Sequence, residues 1–279
     1  MIIYKSLKDV SYEEISRCFN LAFSDYNLPL QLTEKQIQTH FEMSGVNKEL
    51  SYGAFLDNEM VGFIFNSCNI YNEEKVVFDA GTGVVPEQRG KGVFTNLFNF
   101  NEQELQKYKI KKYYLEVLQQ NNKAIEAYKK NGFDIVREFS IVKATNTGLN
   151  ITTEPMDYME LSDLNISSIE NCNLVKPSYE HSTNVLKINS DCYSVAFTEK
   201  ENKVVTAFCI FSKVTGSIVQ LGYTNIEDLK IIIEQLLLRF KDVTIKNIDI
   251  NYSEVLNLLH DIGFHEITKQ FEMSKKMCN

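Results

Sequence analysis

The residues best equipped for chemistry lie in the first half of the 279-residue chain, in the run Pro86-Glu87-Gln88-Arg89-Gly90-Lys91-Gly92. A β-rich segment precedes this run and a helical pattern follows it from Val93. Unpaired backbone N–H groups and the positive end of a helix dipole therefore converge there. Such a point holds an anion. The glycines let a phosphate approach the backbone without a Cβ in the way, and Arg89 and Lys91 add charge. The loop is too short for the G-x-x-x-x-G-K-[ST] phosphate loop and lacks G-x-G-x-x-G, so neither nucleotide hydrolysis nor a Rossmann cofactor is indicated. Two carboxylates interrupt neighbouring apolar segments. Asp79, in Val76-Val77-Phe78-Asp79-Ala80, reads either as a general base or as a structural carboxylate bonded to nearby backbone or tyrosines. Glu116, in the strand Tyr113 to Leu118, is the second choice of base.

The elements that must position these residues follow from periodicity. Tyr12, Ile15, Cys18, Phe19 and Ala22 share one helical face, and Thr33 caps a second helix. Tyr52 to Leu56 and Val61 to Phe65, joined by Asp57-Asn58-Glu59, read as a hairpin. Gly81-Thr82-Gly83, inside the next strand, suggest a bulge or the close approach of a ligand or another backbone. Val93, Leu97, Phe98 and Leu105 line a helix. A strand over 113–118, a helix from Asn122 to Asn131 closed by Gly132, and a strand or hairpin from Phe133 to Val142 complete the half. Read without further context, Tyr128 on that helix packs its ring on the core with its hydroxyl at the surface.

Two of these segments carry a resemblance. Arg89-Gly90-Lys91-Gly92-Val93-Phe94 resembles the R/Q-x-x-G-x-G/A signature of the GNAT acetyltransferase superfamily, and Asn121-Asn122-Lys123-Ala124-Ile125-Glu126-Ala127-Tyr128-Lys129-Lys130-Asn131-Gly132-Phe133 resembles its N-x-x-A-x-x-x-Y-x-x-x-G-F helix. The first departs from the pattern at Phe94, where the family has Gly or Ala; the Phe94 N–H can still donate, provided the side chain points away. The resemblance covers roughly residues 1–143. It implies a mixed α/β fold, a mostly antiparallel sheet flanked by helices, with acetyl-CoA as acyl donor. The pyrophosphate would be cradled along Arg89, Gly90, Lys91, Gly92, Val93, Phe94 and Thr95, and pantetheine would lie beside Val84 and Val85, where a backbone N–H could polarise the thioester. Asn121 would contact CoA, Tyr128 would be the general acid beside the sulfur, and Tyr26-Asn27-Leu28-Pro29 would border the acceptor. The implied reaction is direct transfer to a primary amine of a small molecule or peptide. A non-catalytic acyl-CoA sensor is the alternative.

The rest of the chain bounds these readings. Hydrophobic residues make up 44% and charged residues 24%, an ordinary globular composition. The length suits two domains: 1–145, a linker over 146–156, and 157–279. Echoes of the first half in the second, Ala196-Phe197, Phe208-Cys209-Ile210-Phe211 and Ile262-Gly263-Phe264, read as a tandem repeat of one fold. In the second half, Thr224 and Glu227 form a capping box where the phosphate loop would stand, and no tyrosine matches Tyr128. That half is expected to be degenerate, with a structural role, an acceptor-shaping role or a dimer contact. The net charge of −8 disfavours nucleic acid and agrees with a cationic amine. Scattered cysteines and four unclustered histidines predict free thiols and no metal, and the absence of a signal or spanning segment predicts a cytoplasmic protein away from membranes.

Overall fold

A computed structural model describes residues 1–25, 31–146, 156–200 and 203–277. In chain order the first half forms β1 (Ile2–Ser6), α1 (Tyr12–Ala22), α2 (Glu34–Ser44), β2 (Tyr52–Leu56), β3 (Glu59–Tyr71), β4 (Glu74–Val84), α3 (Val93–Leu105), β5 (Lys112–Leu118), α4 (Asn122–Lys130) and β6 (Asp134–Thr145). The second forms β7 (Asp157–Glu160), β8 (Asn173–Leu174), α5 (Thr183–Leu186), β9 (Tyr193–Lys200), β10 (Val204–Ser212), β11 (Ile218–Tyr223), α6 (Ile226–Arg239), β12 (Asp242–Asp249), α7 (Ser253–Asp261) and β13 (His265–Lys276). Strand β1 was not foreshadowed by the helical reading of the N-terminus.

The chain divides into two compact units. One holds 1–117, 121–135 and 273–279; the other holds 118–120 and 136–272. The expected boundary at 145 therefore shifts, because the last strand of each half is shared out. From Phe139 to Thr145, β6 pairs antiparallel with β12, so it belongs to the second unit. At the far end of the chain the Met277 N–H reaches Lys111 O at 3.0 Å, within the first.

In the first unit the strands run in the order β1-β2-β3-β4-β5. Alternation along β3 sends Phe63 and Phe65 to one face, where they stack on each other at 4.3 Å and meet Phe19 of α1 and Phe41 of α2. Gly83 and Gly81 make room for those two rings rather than for a ligand: a Cβ on Gly83 would stand 2.7 Å from Phe63. On the other face Tyr113 of β5 packs with Phe98 of α3 and with Phe133. Helix starts are set locally. Ser11 accepts the Glu14 N–H, and Thr33 with Gln36 forms a capping box.

The second unit orders its strands β6-β12-β11-β10-β9-β7, with β8 paired to β11. Leu229, Ile232, Ile233, Leu236 and Leu237 of α6, with Val255 and Leu259 of α7, cover one face. The repeat is visible in its irregularities. Pairing of β3 with β4 skips Ala80, and pairing of β10 with β11 skips Val219. Likewise β2/β3 skips Val61 and β9/β10 skips Thr206. Anchored on these bulges, Gly62–Phe65 corresponds to Ala207–Ile210 and Ala54 to Thr198, so the strand echoes read from sequence are one and two residues out of register. The helix-end echo holds: Gly132 and Gly263 have φ of 87° and 92°, and Phe133 and Phe264 donate to Tyr128 O and Leu259 O.

Candidate active site

Strands β4 and β5 run in parallel register from Val76 and Lys112 to Asp79 and Leu115, and their pairing ends there. β4 remains paired with β3 as far as Val84 and Gly62. Among the described residues, Ala80 to Val84 thus have a pairing strand on one side only, and an extended slot begins at Asp79. The bulge at Ala80 marks the point of divergence. His40 of α2 sits against it, its Nε2 3.0 Å from Ala80 O.

Asp79 is buried, yet its carboxylate is well supplied with donors. Oδ1 accepts the Gly81 N–H at 3.0 Å, and Oδ2 accepts Thr82 Oγ1 at 2.6 Å and the Tyr128 hydroxyl at 3.0 Å. Burial pushes the Asp79 carboxyl above the usual range, and the hydrogen bonds from Thr82, Gly81 and Tyr128 pull it part of the way back. Tyr128 is held by aromatic edges, with Phe94 and Phe133 each 5.6 Å from its ring. The Phe94 side chain thus turns toward Tyr128. Beneath the pair, Asn66, Asn101 and Tyr113 close a buried ring of side-chain hydrogen bonds. Burial raises the Tyr113 hydroxyl well above its ordinary value.

The loop ahead of α3 has the geometry of an anion cradle. Gly90 and Gly92 adopt φ of 71° and 77°, which favours glycine. A Cβ on Gly90 would meet nothing within 4 Å, and one on Gly92 only Asn96 Nδ2 at 3.8 Å, so the space above the backbone is open. Gly92 is the N-cap of α3 and offers no side-chain cap. The N–H groups of Val93, Phe94 and Thr95 therefore remain available to an outside acceptor.

Arg89 plays a different part from the one its charge suggests. Its guanidinium bonds Val84 O, Ala22 O and both oxygens of Asp25, which anchors the loop to the end of α1 and offsets the charge. Asp25 is held below the usual carboxylate range by this partner. Positive charge at the cradle is left to Lys91 and the helix end. A groove of about 450 Å³ beside Glu87 and Gln88 is edged by Asp57, Glu59 and Glu87 against Arg17, a net negative lining and the wrong sign for phosphate.

Other expected site residues separate. The Val85 N–H donates to Val61 O at 3.0 Å and Val84 O takes Arg89 Nε, so these two residues wall the slot without a free N–H at Val85 for a thioester. The Asn121 side chain caps α4 through the Ala124 N–H. Glu116 follows Leu115 on β5 and, by strand alternation, lies on the face opposite Asp79 and Tyr128. Tyr26 to Pro29 lie outside the described residues. Thr82 and His40 were not foreseen. An Asx-type reach from Asp79 to the residue two places on was a possible clue to the first segment; nothing in sequence joins His40 to Ala80.

In the second unit the N-cap of α6 is Asn225, not Thr224, with Glu227 and Asp228 in the first turn. Thr224 instead donates through its hydroxyl to Thr206 O. Among the described residues the cysteines are free, no group of His, Cys, Asp and Glu could hold a metal, and no helix is long and apolar enough to cross a membrane.

Residues 11–133 match the model of the Acetyltransferase (GNAT) family. No curated protein matches in sequence. Among solved structures, a GCN5-related N-acetyltransferase from Sphaerobacter thermophilus superposes with a TM-score of 0.71 at 13% identity, covering 100% of this chain and 96% of its own. A putative acetyltransferase from Pyrococcus horikoshii gives 0.70 at 16% identity, over 99% and 89% of the two chains. A tandem GNAT protein from the clavulanic acid biosynthesis pathway gives 0.66 at 9% identity, over 100% and 99%. The mixed α/β architecture of this chain is thus the tandem GNAT fold.

Proposed function

We propose that this chain, which carries a GNAT-family acetyltransferase domain in residues 11–133, is an acetyl-CoA-dependent N-acetyltransferase with one active site, in its first unit. The observation that supports this reading is the one-sided stretch of β4, which leads from the Asp79–Tyr128 bond into the loop ahead of α3. The slot starts at Asp79 and Tyr128 and ends at an uncapped helix N-terminus with an open glycine cradle. Acetyl-CoA would bring the acyl group as an activated thioester. The Gly90–Thr95 backbone would hold its pyrophosphate and β4 its pantetheine, in keeping with the one-sided strand and the missing cap.

An amine must be neutral to attack, and a departing thiolate needs a proton. Tyr128 is the candidate acid and Asp79 the candidate base. The acceptor is a primary amine of a small molecule or peptide, the setting the cytoplasm, and no metal takes part. The second unit is structural, shaping the acceptor side or making a dimer contact. A binding-only sensor would need no acid at the head of the slot, and the bond between Tyr128 and Asp79 favours transfer over that alternative.

The test is thiol release from acetyl-CoA in the presence of polyamines, aminoglycosides and free peptide N-termini. Turnover with at least one class, reduced in Tyr128→Phe with acetyl-CoA affinity intact, supports the reading. Tight acetyl-CoA binding with no turnover on any class would establish the sensor.

A further inference from the structure

Tyr128 and Asp79 are drawn as separate acid and base in the reading above, but they share a hydrogen bond. The Tyr128 hydroxyl proton is directed at Asp79 Oδ2 at 3.0 Å, and a phenol oxygen can accept a proton as well as donate one. Asp79 itself is buried, while Tyr128 is partly exposed. The groups around Asp79 are Tyr128 from α4, Tyr113 from β5, Asn66 from β3, Thr82 on its own strand, and His40 from α2 against the adjacent Ala80 carbonyl. None of the described ion pairs includes Asp79, and the influences on its carboxyl are burial and three hydrogen bonds, with no charge among them. A buried carboxylate with neutral donors and no counter-ion is poised to take up a proton.

We infer that Tyr128 and Asp79 form a single proton relay, in which the proton lost by the acceptor nitrogen is the one delivered to the leaving sulfur, and that Thr82 is the residue positioning the carboxylate. This rests on the transferase reading above. The acceptor enters as the neutral amine, its ammonium proton already released to solvent. As the new C–N bond forms, the nitrogen becomes cationic. Its proton passes to Tyr128 Oη while the Tyr128 proton passes to Asp79 Oδ2, leaving Asp79 neutral. When the C–S bond breaks with its electron pair on sulfur, Tyr128 gives its proton to sulfur and regains one from Asp79. The products are amide and thiol, and the pair ends in its starting state. No outside base is needed, because base and acid are two positions of one chain of hydrogen bonds.

The first test needs no substrate. Carbon-13 spectra of the Asp79 carboxyl and the Tyr128 ring are followed against pH in the unliganded protein. The relay predicts one shared inflection at both residues, erased at Tyr128 by Asp79→Asn. A Tyr128 ring carbon that ignores the Asp79 titration overturns it.

The second test is a double-mutant cycle in turnover, with whichever amine the screen above accepts. Asp79→Asn, Tyr128→Phe and the double variant should all fall to about the same rate, since one broken link disables the chain. Losses that multiply would show independent groups and contradict the relay. In Thr82→Val a donor that holds the carboxylate low is lost. The acidic limb of the kcat profile should then move to higher pH, with the KM for acetyl-CoA unchanged; an unmoved limb removes Thr82 from the account. Calorimetric binding of acetyl-CoA by every variant separates a failed relay from a failed transferase reading.

Discussion

The two units use one framework for opposite ends, and the contrast is sharpest where their bulges coincide. With Ala80 matched to Val219, Asp79 corresponds to Ile218, and Asn66 to Phe211. Matching the last parallel pairs, Asp79 with Leu115 and Ile218 with Ile245, places Tyr113 opposite Val243. The helix ends place Tyr128 opposite Leu259. These four polar groups of the first site are thus matched by apolar side chains in the second, and Phe211, Ile218, Val243 and Leu259 are all buried there. The slot differs too. Where Ala80 to Val84 of β4 have, among the described residues, a strand on one side only, β11 is covered by β8 at Gly222 and Tyr223, and the Val175 N–H bonds Leu221 O. Arg137 then fixes that segment through Lys176 O and Pro177 O. Between strand and helix the first unit has Val85 to Gly92, the second only Thr224 and Asn225. A strand edge left open beside polar side chains and a packed apolar core are therefore alternative fillings of the same framework.

The contrast can be broken by exchanging residues across it. The largest effect is expected from Tyr128→Phe, a drop in kcat of about 10²- to 10⁴-fold, the usual worth of a positioned proton donor. Leu259→Tyr should create no activity, because the second unit offers no cradle; steady-state assays check both. Next, Ile218→Asp puts a carboxylate among apolar side chains without donors and should cost more than about 3 kcal/mol in chemical denaturation.

A smaller effect separates the units by pH. Asp79 has a folded pKa raised above 3.8, so the folded protein binds more protons than the unfolded one between those values. Its contribution therefore falls as pH rises through that window. His181, in the second unit, is pushed down from 6.5 to about 3 by burial and, secondarily, by Lys246. There the unfolded chain binds more protons, and stability falls as pH drops from 6.5 toward about 3. Thermal midpoints from pH 3 to 7.5 should show Asp79→Asn gaining on wild type as pH rises, and His181→Gln gaining as pH falls. The smallest change is expected from Asp25→Asn, which frees an exposed Arg89 partner and should alter acetyl-CoA affinity by less than about fivefold.

What sequence made legible was local. The cradle and the Asn121–Phe133 helix are short stretches whose glycines, cap and aromatic residues act on near neighbours, so residue order alone exposes them. The bond between Asp79 and Tyr128 spans 49 positions and depends on where β4 and β5 part. No periodicity encodes that point. The strand echoes slipped because each bulge adds one residue without changing the apolar pattern. The transfer of β6 to the second unit was hidden for a related reason: a strand's pattern tells which face is buried, not which neighbour it pairs with. Arg89 looked like a phosphate ligand because charge is visible in sequence, whereas its Asp25 partner lies 64 positions away.

The measurement that bears most directly on the central claim is calorimetric titration of acetyl-CoA into the wild-type protein and into Gly92→Glu. The substitution sets a carboxylate at the helix N-terminus, on a backbone whose φ of 77° already disfavours a side chain. The account predicts one binding event per chain in wild type and none in the variant, with an unchanged fold by circular dichroism. Two events per chain, or binding that survives the substitution, would contradict a single cofactor site at the head of α3.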